Sequence, residues 1–360
     1  MIENKGNNSI GPKTFVSYKL PGISDISILY GKIRTLNHED FHNRQGFILA
    51  PFIASDSNPP LFLEPDSVSN KLTKIPTSFF EKIRKINIED GNDFISPTEK
   101  PAYLRKLENL IMELNCGSAE KVVISRTTLA DRISDHQLFQ FYYLLCGTYP
   151  EAFVYLVHFP PFGIWMGASP ETLISCDGEK CHTMALAGTR KAGSEGEWGS
   201  KEKEEQAIVS RYIQDILLKH RVQGLQITGP YTSQAGTIEH LCTGFSFKIP
   251  DDKTLTKIIT DLHPTPAVCG IPKEKALQLI RKYENHQREY YTGFLGPLNL
   301  NGKTDLFVNL RCMKITHKQM ILFTGGGITK DSVPEKEWEE TELKAQTLLA
   351  VLEKIRNLAL

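Results

Sequence analysis

Short strand-like segments joined by brief turns are the feature that most limits the fold of this chain. Four of them, rich in β-branched and aromatic residues, follow one another at residues 152–159, 163–167, 172–176 and 181–187. Gly178 and Glu179 fit a turn between the last two. Strands that succeed one another this closely are typical of antiparallel pairing rather than of a parallel sheet.

The same alternation continues along the chain, with long helical patterns between groups of strands. Apolar residues at helical spacing predict helices over residues 98–114, 134–146, 200–220, 272–281 and from about 332 to 358. Further strands are predicted at residues 121–125, 236–249, 290–300, 305–315 and 320–323. Asn301-Gly302 is a strong hairpin signal. Antiparallel groups separated by helices favour an α+β fold over a doubly wound parallel sheet.

The charge balance limits the kind of partner. Lysine and arginine number 42, and so do aspartate and glutamate, which gives a formal net charge of zero. Nucleic-acid-binding proteins usually carry a basic excess. No apolar run of about 18 residues predicts a membrane span, and residues 1–15 lack the apolar core of a signal peptide. We therefore expect a cytoplasmic protein without a nucleic-acid or membrane partner.

The cysteines do not suggest a metal site or a disulfide framework. The seven cysteines form no C-x-x-C pair. We expect them to be reduced and packed in the interior, without zinc.

Three consecutive glycines, Gly325, Gly326 and Gly327, follow the strand predicted at 320–323. They lack the G-x-G-x-x-G helix entry of a dinucleotide-binding fold. One interpretation is a tight turn. The other is a close approach of the backbone to a ligand, because no side chain intervenes.

Two predicted helices carry carboxylates where apolar residues are expected. The apolar stripe of the last helix, extended backward at helical spacing, meets three charged residues, Lys344, Glu340 and Glu337. In the helix at 200–220, Glu205 shares the face of Ile208. Acidic residues near a helix N-terminus also have an ordinary electrostatic explanation. However, Mg²⁺ is typically held by one or two carboxylates with water and substrate oxygens, so Glu205 and Glu340 are a candidate magnesium pair.

Four other residues have both a structural and a functional interpretation. Lys121 opens a strand, either as an edge lysine or as a general base. Glu171 lies in a turn, either as a surface carboxylate or as a general acid. Arg311, inside a predicted strand, needs a carboxylate partner from the protein or from a substrate. His240 is either a core histidine or part of a site.

Together these residues resemble the chorismate-utilising enzymes. The matching segments are residues 121–126, 167–172, 186–190, 239–241, 262–267, 288–293, 307–311 and 325–344. The resemblance implies one large α+β domain in which two antiparallel sheets pack together with helices outside. Residues 116–360 would form the chorismate-binding catalytic region, and residues 1–115 a variable N-terminal part of the same domain.

The resemblance also implies a magnesium ion and a role for each candidate residue. Glu205 and Glu340 would bind Mg²⁺, with Glu337 supporting it through water. Arg311 and Lys344 would hold substrate carboxylates. The other residues expected to contact substrate are Gly188, Thr189, His240, Ala267, Tyr291, Gly325 and Gly327. Gln206 departs from the family, which often has histidine after the first metal glutamate. We expect the glutamine to be tolerated, because it also forms hydrogen bonds.

Two positions discriminate within the family. Ammonia-using members typically have glutamine at the position of Lys121, and some carry a nucleophilic lysine at that of Ala187. Lys121 with Ala187 therefore implies the water-using branch and no glutaminase partner. We expect an isochorismate synthase of menaquinone or siderophore biosynthesis, in which Lys121 deprotonates the attacking water and Glu171 protonates the leaving hydroxyl. The alternatives are a salicylate synthase and a catalytically inert chorismate-binding domain.

Overall fold

Antiparallel strands dominate the computed structural model, which describes residues 14–36, 41, 44–72, 96–160, 162–236 and 238–357. The strands are β1 (Phe15–Lys19), β2 (Ile26–Thr35), β3 (Gly46–Ala50), β4 (Leu61–Leu72), β5 (Lys121–Asp131), β6 (Phe153–His158), β7 (Ile164–Ser169), β8 (Thr172–Asp177), β9 (Lys180–Lys191), β10 (Gln223–Ala235), β11 (Ile238–Lys248), β12 (Gly270–Ile271), β13 (Phe294–Leu298), β14 (Lys303–Val308), β15 (Cys312–Ile315) and β16 (Gln319–Ile328). The helices in these ranges are α1 (Lys100–Asn115), α2 (Asp135–Thr148), α3 (Ser200–Lys219), α4 (Asp252–Leu262), α5 (Lys273–Tyr283) and α6 (Pro334–Asn357).

The strands form one hydrogen-bonded sheet that folds back on itself. Its order is β10-β11-β9-β8-β14-β13-β3-β4-β2-β1-β6-β7-β15-β16-β5-β12. Phe153 of β6 and Phe307 of β14 have five strands between them in this order, yet their rings stack with centroids 4.2 Å apart. In a flat sheet those strands would lie roughly 29 Å apart. The expected two antiparallel layers are therefore present, and they are halves of one continuous sheet.

The N-terminal strands explain this continuity. Strands β3, β4, β2 and β1 hydrogen-bond in series between β13 of one layer and β6 of the other. The sequence of residues 1–115 contains no site signal, so this bridging contribution was not predicted. The two layers enclose a shared apolar core, and the helices pack on the outer faces in three further clusters. The α+β class with outer helices is confirmed.

Most predicted elements are found within a few residues of their expected bounds, and some predictions are wrong. Strand β10 and helix α4 were not predicted. The strand expected at 305–315 is two strands, β14 and β15, interrupted near Arg311, whose φ is 49°. Asn301 and Gly302 have φ of 54° and 77°, as a two-residue hairpin turn requires, so that prediction is confirmed.

The glycine and cysteine predictions both need correction. The three glycines lie inside β16, where Gly325 pairs with Ser125 and Gly327 with Val123 of β5, so the tight-turn interpretation is wrong. Cys176 and Cys181 form a disulfide, contrary to the expectation of reduced cysteines. They face each other in the β8–β9 hairpin, a proximity that their spacing in the sequence does not reveal. Among the described helices, none is long and apolar enough to cross a membrane.

The stacked rings between the layers give a test of the folded-over sheet. Replacing the fully buried Phe153 with alanine is expected to lower the free energy of unfolding by about 3–5 kcal/mol, because it leaves a cavity between the layers. Met112→Ala, at a side chain that is 59% exposed, is the control and should change it by less than about 0.5 kcal/mol. Urea unfolding measures the free energy of unfolding of both variants. Equal losses in the two variants would contradict the packing of Phe153 between the layers.

Candidate functional site

A small cavity of about 70 Å³ brings together nearly all the residues predicted from the sequence. The predicted residues in its lining are Lys121, Glu171, Gly188, Thr189, Glu205, His240, Ala267, Tyr291, Arg311, Gly325, Gly327, Glu340 and Lys344. Glu337 does not line the cavity, but its carboxylate and that of Glu340 both lie close to the backbone of Gly326. Segments far apart in sequence thus converge on one place.

The glycines of β16 make room for the charged groups. A Cβ added at Gly327 would lie 2.3 Å from Oε1 of Glu205 and 2.6 Å from Cε of Lys121. A Cβ at Gly326 would lie 3.3 Å from Oε2 of Glu337 and 3.9 Å from Oε1 of Glu340. The second interpretation of these glycines was a close approach of the backbone to a ligand. Here the groups that approach the backbone closely are the protein's own carboxylates.

Each of the three candidate metal carboxylates is paired with a lysine. The pairs, with their N–O distances, are Lys121–Glu205 at 3.7 Å, Lys201–Glu337 at 2.5 Å and Lys344–Glu340 at 2.6 Å. Sequence reasoning missed Lys201, because it stands in a charge run that is typical of a solvated first turn. Its position one helical turn before Glu205 was the signal that could have found it.

The carboxylate oxygens fit a hard divalent cation. Oε1 of Glu205 and Oε2 of Glu337 are buried, and neither has a hydrogen-bond partner among the described residues. Such oxygens are costly to bury unless a positive group compensates them. Carboxylate oxygens are also the donors that Mg²⁺ prefers. Within the described ranges, however, no three His, Cys, Asp or Glu side chains already form a metal centre.

Burial and neighbouring charges give the two carboxylates of α6 different pKa values. Burial, together with the charge of Glu340, raises the pKa of Glu337 to about 7, although Lys201 opposes this. Burial also acts to raise the pKa of Glu340, but Lys344 and Lys201 outweigh it, so this pKa lies below its usual value. Glu340 is therefore the more readily ionised carboxylate of the two.

Arg311 and His240 form a second polar group in the cavity. Nη2 of Arg311 lies 3.2 Å from Nε2 of His240. Because arginine only donates, this imidazole nitrogen accepts, and Nδ1 then donates to the Gly188 carbonyl at 2.7 Å. Burial, followed by the charges of Arg311 and Lys344, lowers the pKa of His240 to about 3, so the ring is neutral.

Arg311 is held ready for an anion. Burial lowers its pKa to about 10, which leaves it charged at neutral pH. No carboxylate among the described residues forms an ion pair with it, and its other contact is the Thr347 hydroxyl at 3.5 Å. A buried guanidinium without a carboxylate partner is the arrangement expected for binding an external carboxylate.

Glu171 lies in the connection between β7 and β8 and is buried. Burial raises its pKa to about 8, against the opposing charges of Lys121, Lys344 and Arg311. It therefore holds its proton at neutral pH, as a general acid must. The surface-carboxylate interpretation is wrong, and so is the edge-lysine interpretation of Lys121, which is 2% exposed.

Gln206, the departure noted in the sequence, is also buried. Its side-chain amide donates to the Thr243 hydroxyl at 2.5 Å. This glutamine thus joins α3 to β11.

Comparison with known proteins gives consistent results. Residues 64–353 match the family described as chorismate binding enzyme. The chain is 32% identical over 245 residues to isochorismate synthase EntC of Escherichia coli (strain K12), which covers 64% of this chain and 62% of the relative. It is 29% identical over 274 residues to the salicylate biosynthesis isochorismate synthase of Pseudomonas aeruginosa, covering 73% of this chain and 57% of that relative. Both matches span less than two thirds of the relative's length.

A solved structure supports the fold. The menaquinone-specific isochorismate synthase MenF of Escherichia coli superimposes with a TM-score of 0.74, covering 96% of this chain and 90% of that one at 21% identity.

The glycine strand yields a prediction about cation binding. In Gly327→Ala the new methyl group would displace the carboxylate of Glu205 or the chain of Lys121, and we expect the Mn²⁺ dissociation constant to rise about tenfold or more. Gly147→Ala, whose methyl group meets open space in α2, is the matched control. Paramagnetic resonance of free Mn²⁺ measures both. Unchanged affinity in Gly327→Ala would contradict the assignment of Glu205.

Proposed function

We propose that this chain, which belongs to the chorismate-binding enzyme family, is an isochorismate synthase. The reaction converts chorismate to isochorismate by attack of water at C2 and loss of the C4 hydroxyl. One observation carries the proposal. A single cavity contains the amine of Lys121, a carboxyl group at Glu171 that holds its proton at neutral pH, and Arg311 without a carboxylate partner.

Substrate binding is assigned to the positive groups of the cavity. Chorismate carries two carboxylates, and Arg311 and Lys344 would each hold carboxylate charge. His240 accepts from Arg311 and so keeps the guanidinium oriented without adding a charge. Tyr291 and the backbone at Gly188, which also line the cavity, would contact the remainder of the substrate.

The magnesium ion that we propose would be held by Glu205 and Glu340, with Glu337 beside them. Bound there, it would offset the repulsion between these carboxylates and the anionic substrate. The buried oxygens of Glu205 and Glu337 that have no hydrogen-bond partner among the described residues support this assignment.

Proton transfer is assigned to Lys121 and Glu171. Lys121 takes a proton from water as the oxygen bonds to C2. The ring double bonds shift, the bond from C4 to its oxygen breaks, and Glu171 gives the leaving hydroxyl its proton. One water enters and one leaves, so the reaction is an isomerisation. Exchange with solvent then restores both groups, and the reverse reaction uses them in exchanged roles.

Water, rather than ammonia, is the proposed nucleophile. Lys121 and Ala187 stand where the resemblance places other residues in the ammonia-using members. We therefore propose that the enzyme acts without a glutaminase subunit. The names of the relatives, isochorismate synthases from two bacteria, support the same branch.

A salicylate synthase is the second candidate, because one relative is named for salicylate biosynthesis. Such an enzyme would continue from isochorismate to salicylate by eliminating pyruvate. A catalytically inert chorismate-binding domain is the third, and the buried Lys121 and Glu171 in one cavity argue against it.

Product identification separates these candidates. With chorismate and Mg²⁺, the enzyme is expected to form isochorismate, which chromatography and magnetic resonance identify. No product is expected when EDTA replaces Mg²⁺. Salicylate, detected by its fluorescence, would assign the second candidate. Binding of chorismate without any product would assign the third.

The base assignment predicts a large effect of Lys121→Gln. The variant loses the group that accepts the proton, so kcat is expected to fall by about 10²–10⁴-fold. Lys303→Gln, at an exposed lysine paired with Asp177 outside the cavity, is the control and should keep full activity. Full activity of Lys121→Gln with water would refute the assignment.

The acid assignment predicts a pH dependence. Only protonated Glu171 can act as the acid, and its pKa is about 8. The value of kcat/KM is therefore expected to be lost as pH rises through about 8, because the carboxyl group ionises. In Glu171→Gln the remaining activity should no longer show this step. A wild-type profile that stays level from neutral pH to well above 8 would exclude Glu171 as the acid.

A further inference from the structure

The first half of α6 carries three charged groups of the site, but few apolar side chains fix it in place. Its buried residues before Thr347 are Glu337, Thr341 and Ala345. The large buried apolar residues of the helix begin with Leu348 in its second half. In the first half, one aromatic residue, Trp338, packs edge-on against Tyr103 of α1. The turns that carry Glu337 and Glu340 therefore depend on polar contacts in addition to this aromatic one.

Arg126 of β5 supplies this interaction. Its Nε donates to the hydroxyl of Thr341 at 2.6 Å, and its guanidinium lies 4.0 Å from the ring centroid of Trp338. It also pairs with Glu342 and donates to Thr128 of its own strand at 2.8 Å. The side chain of Arg126 is 2% exposed. One buried cation thus contacts three residues in a single turn of α6.

Two of these three residues are direct neighbours of the candidate metal carboxylates along the helix. Trp338 directly follows Glu337, and Thr341 directly follows Glu340. A helix is rigid over one turn, so a shift that moves Trp338 or Thr341 moves both carboxylates. The planar guanidinium fixes distance and orientation together, which a lysine ammonium cannot do.

Arg126 acts on the site only through α6. It does not line the cavity, so it cannot contact the substrate. It lies on the strand that begins with Lys121 and pairs with Thr324, beside the glycines of β16. Its side chain therefore links the strand that begins with Lys121 to the helix that carries Glu337 and Glu340.

We propose that Arg126 is a positioning residue that holds the carboxylates of Glu337 and Glu340 at the spacing a divalent cation needs. This inference rests on the proposed magnesium site, but not on the identity of the reaction.

The experiment measures Mn²⁺ affinity of the full chain by paramagnetic resonance of the free ion. Arg126→Lys keeps the charge and loses the planar contacts, and its dissociation constant is expected to rise about tenfold, as for groups that orient metal ligands. Thr341→Val removes one hydrogen bond to Arg126 and should raise the Mn²⁺ dissociation constant about fivefold. The Mg²⁺ concentration for half-maximal activity should rise in parallel, while kcat at saturating Mg²⁺ stays near that of the wild type.

Two matched controls lie outside this contact. Arg132→Lys changes an arginine just after β5 that binds Asp135 and the Thr316 carbonyl. Thr256→Val removes a buried helical hydroxyl in α4. Both substitutions should lower thermal stability without changing Mn²⁺ affinity. If the role of Arg126 were only structural, Arg126→Lys would give the same result.

The outcomes decide the proposal. Wild-type affinity in a folded Arg126→Lys, or in Thr341→Val if Arg126→Lys does not fold, overturns it. So does a wild-type protein that binds no Mn²⁺. If the wild type binds Mn²⁺, the variants weaken it and chorismate is not converted, then the proposed function has failed and the role of Arg126 stands.

Discussion

The approach of carboxylates to the side-chain-free backbone of β16 is the constraint on which the site depends. At Gly327 even a methyl group would collide with Glu205 and Lys121. With glycine there, carboxylates from α3 and from α6 reach the same strand. Their repulsion is offset by three lysines. The zero net charge of the chain does not reveal this local balance. Two buried carboxylate oxygens still have no hydrogen-bond partner among the described residues.

The folded-over sheet places the reacting groups where the chain passes between the two layers. Glu171 lies between β7 and β8, and Arg311 between β14 and β15. In each case the two strands belong to different layers. Because these crossings are not paired strands, side chains there can turn into the cavity. The bridge formed by β1–β4 holds the layers in register, although none of its described residues lines the cavity.

The sequence was sufficient to predict those site residues that stand where a helix or strand pattern calls for another residue type. Glu205 and Glu340 stood on apolar faces, and three consecutive glycines followed a predicted strand. It was insufficient for contacts between distant segments. Lys201 stood in a charge run typical of a solvated first turn, and no sequence pattern indicated the contacts of Arg126 with α6. The disulfide between Cys176 and Cys181 required the hairpin. The continuity of the sheet was hidden because the N-terminal strands carry no motif, and β10 is an exposed edge strand without a clear apolar alternation.

The central claim is that Lys121 activates water, which then supplies the new hydroxyl of the product. The direct measurement is turnover of chorismate in water enriched in heavy oxygen, followed by mass spectrometry of the isochorismate. The account predicts that each product molecule carries one solvent-derived oxygen, located at C2. Isochorismate that retains only the oxygen of chorismate would show a transfer within the substrate, and would contradict Lys121 as the base and Glu171 as the acid.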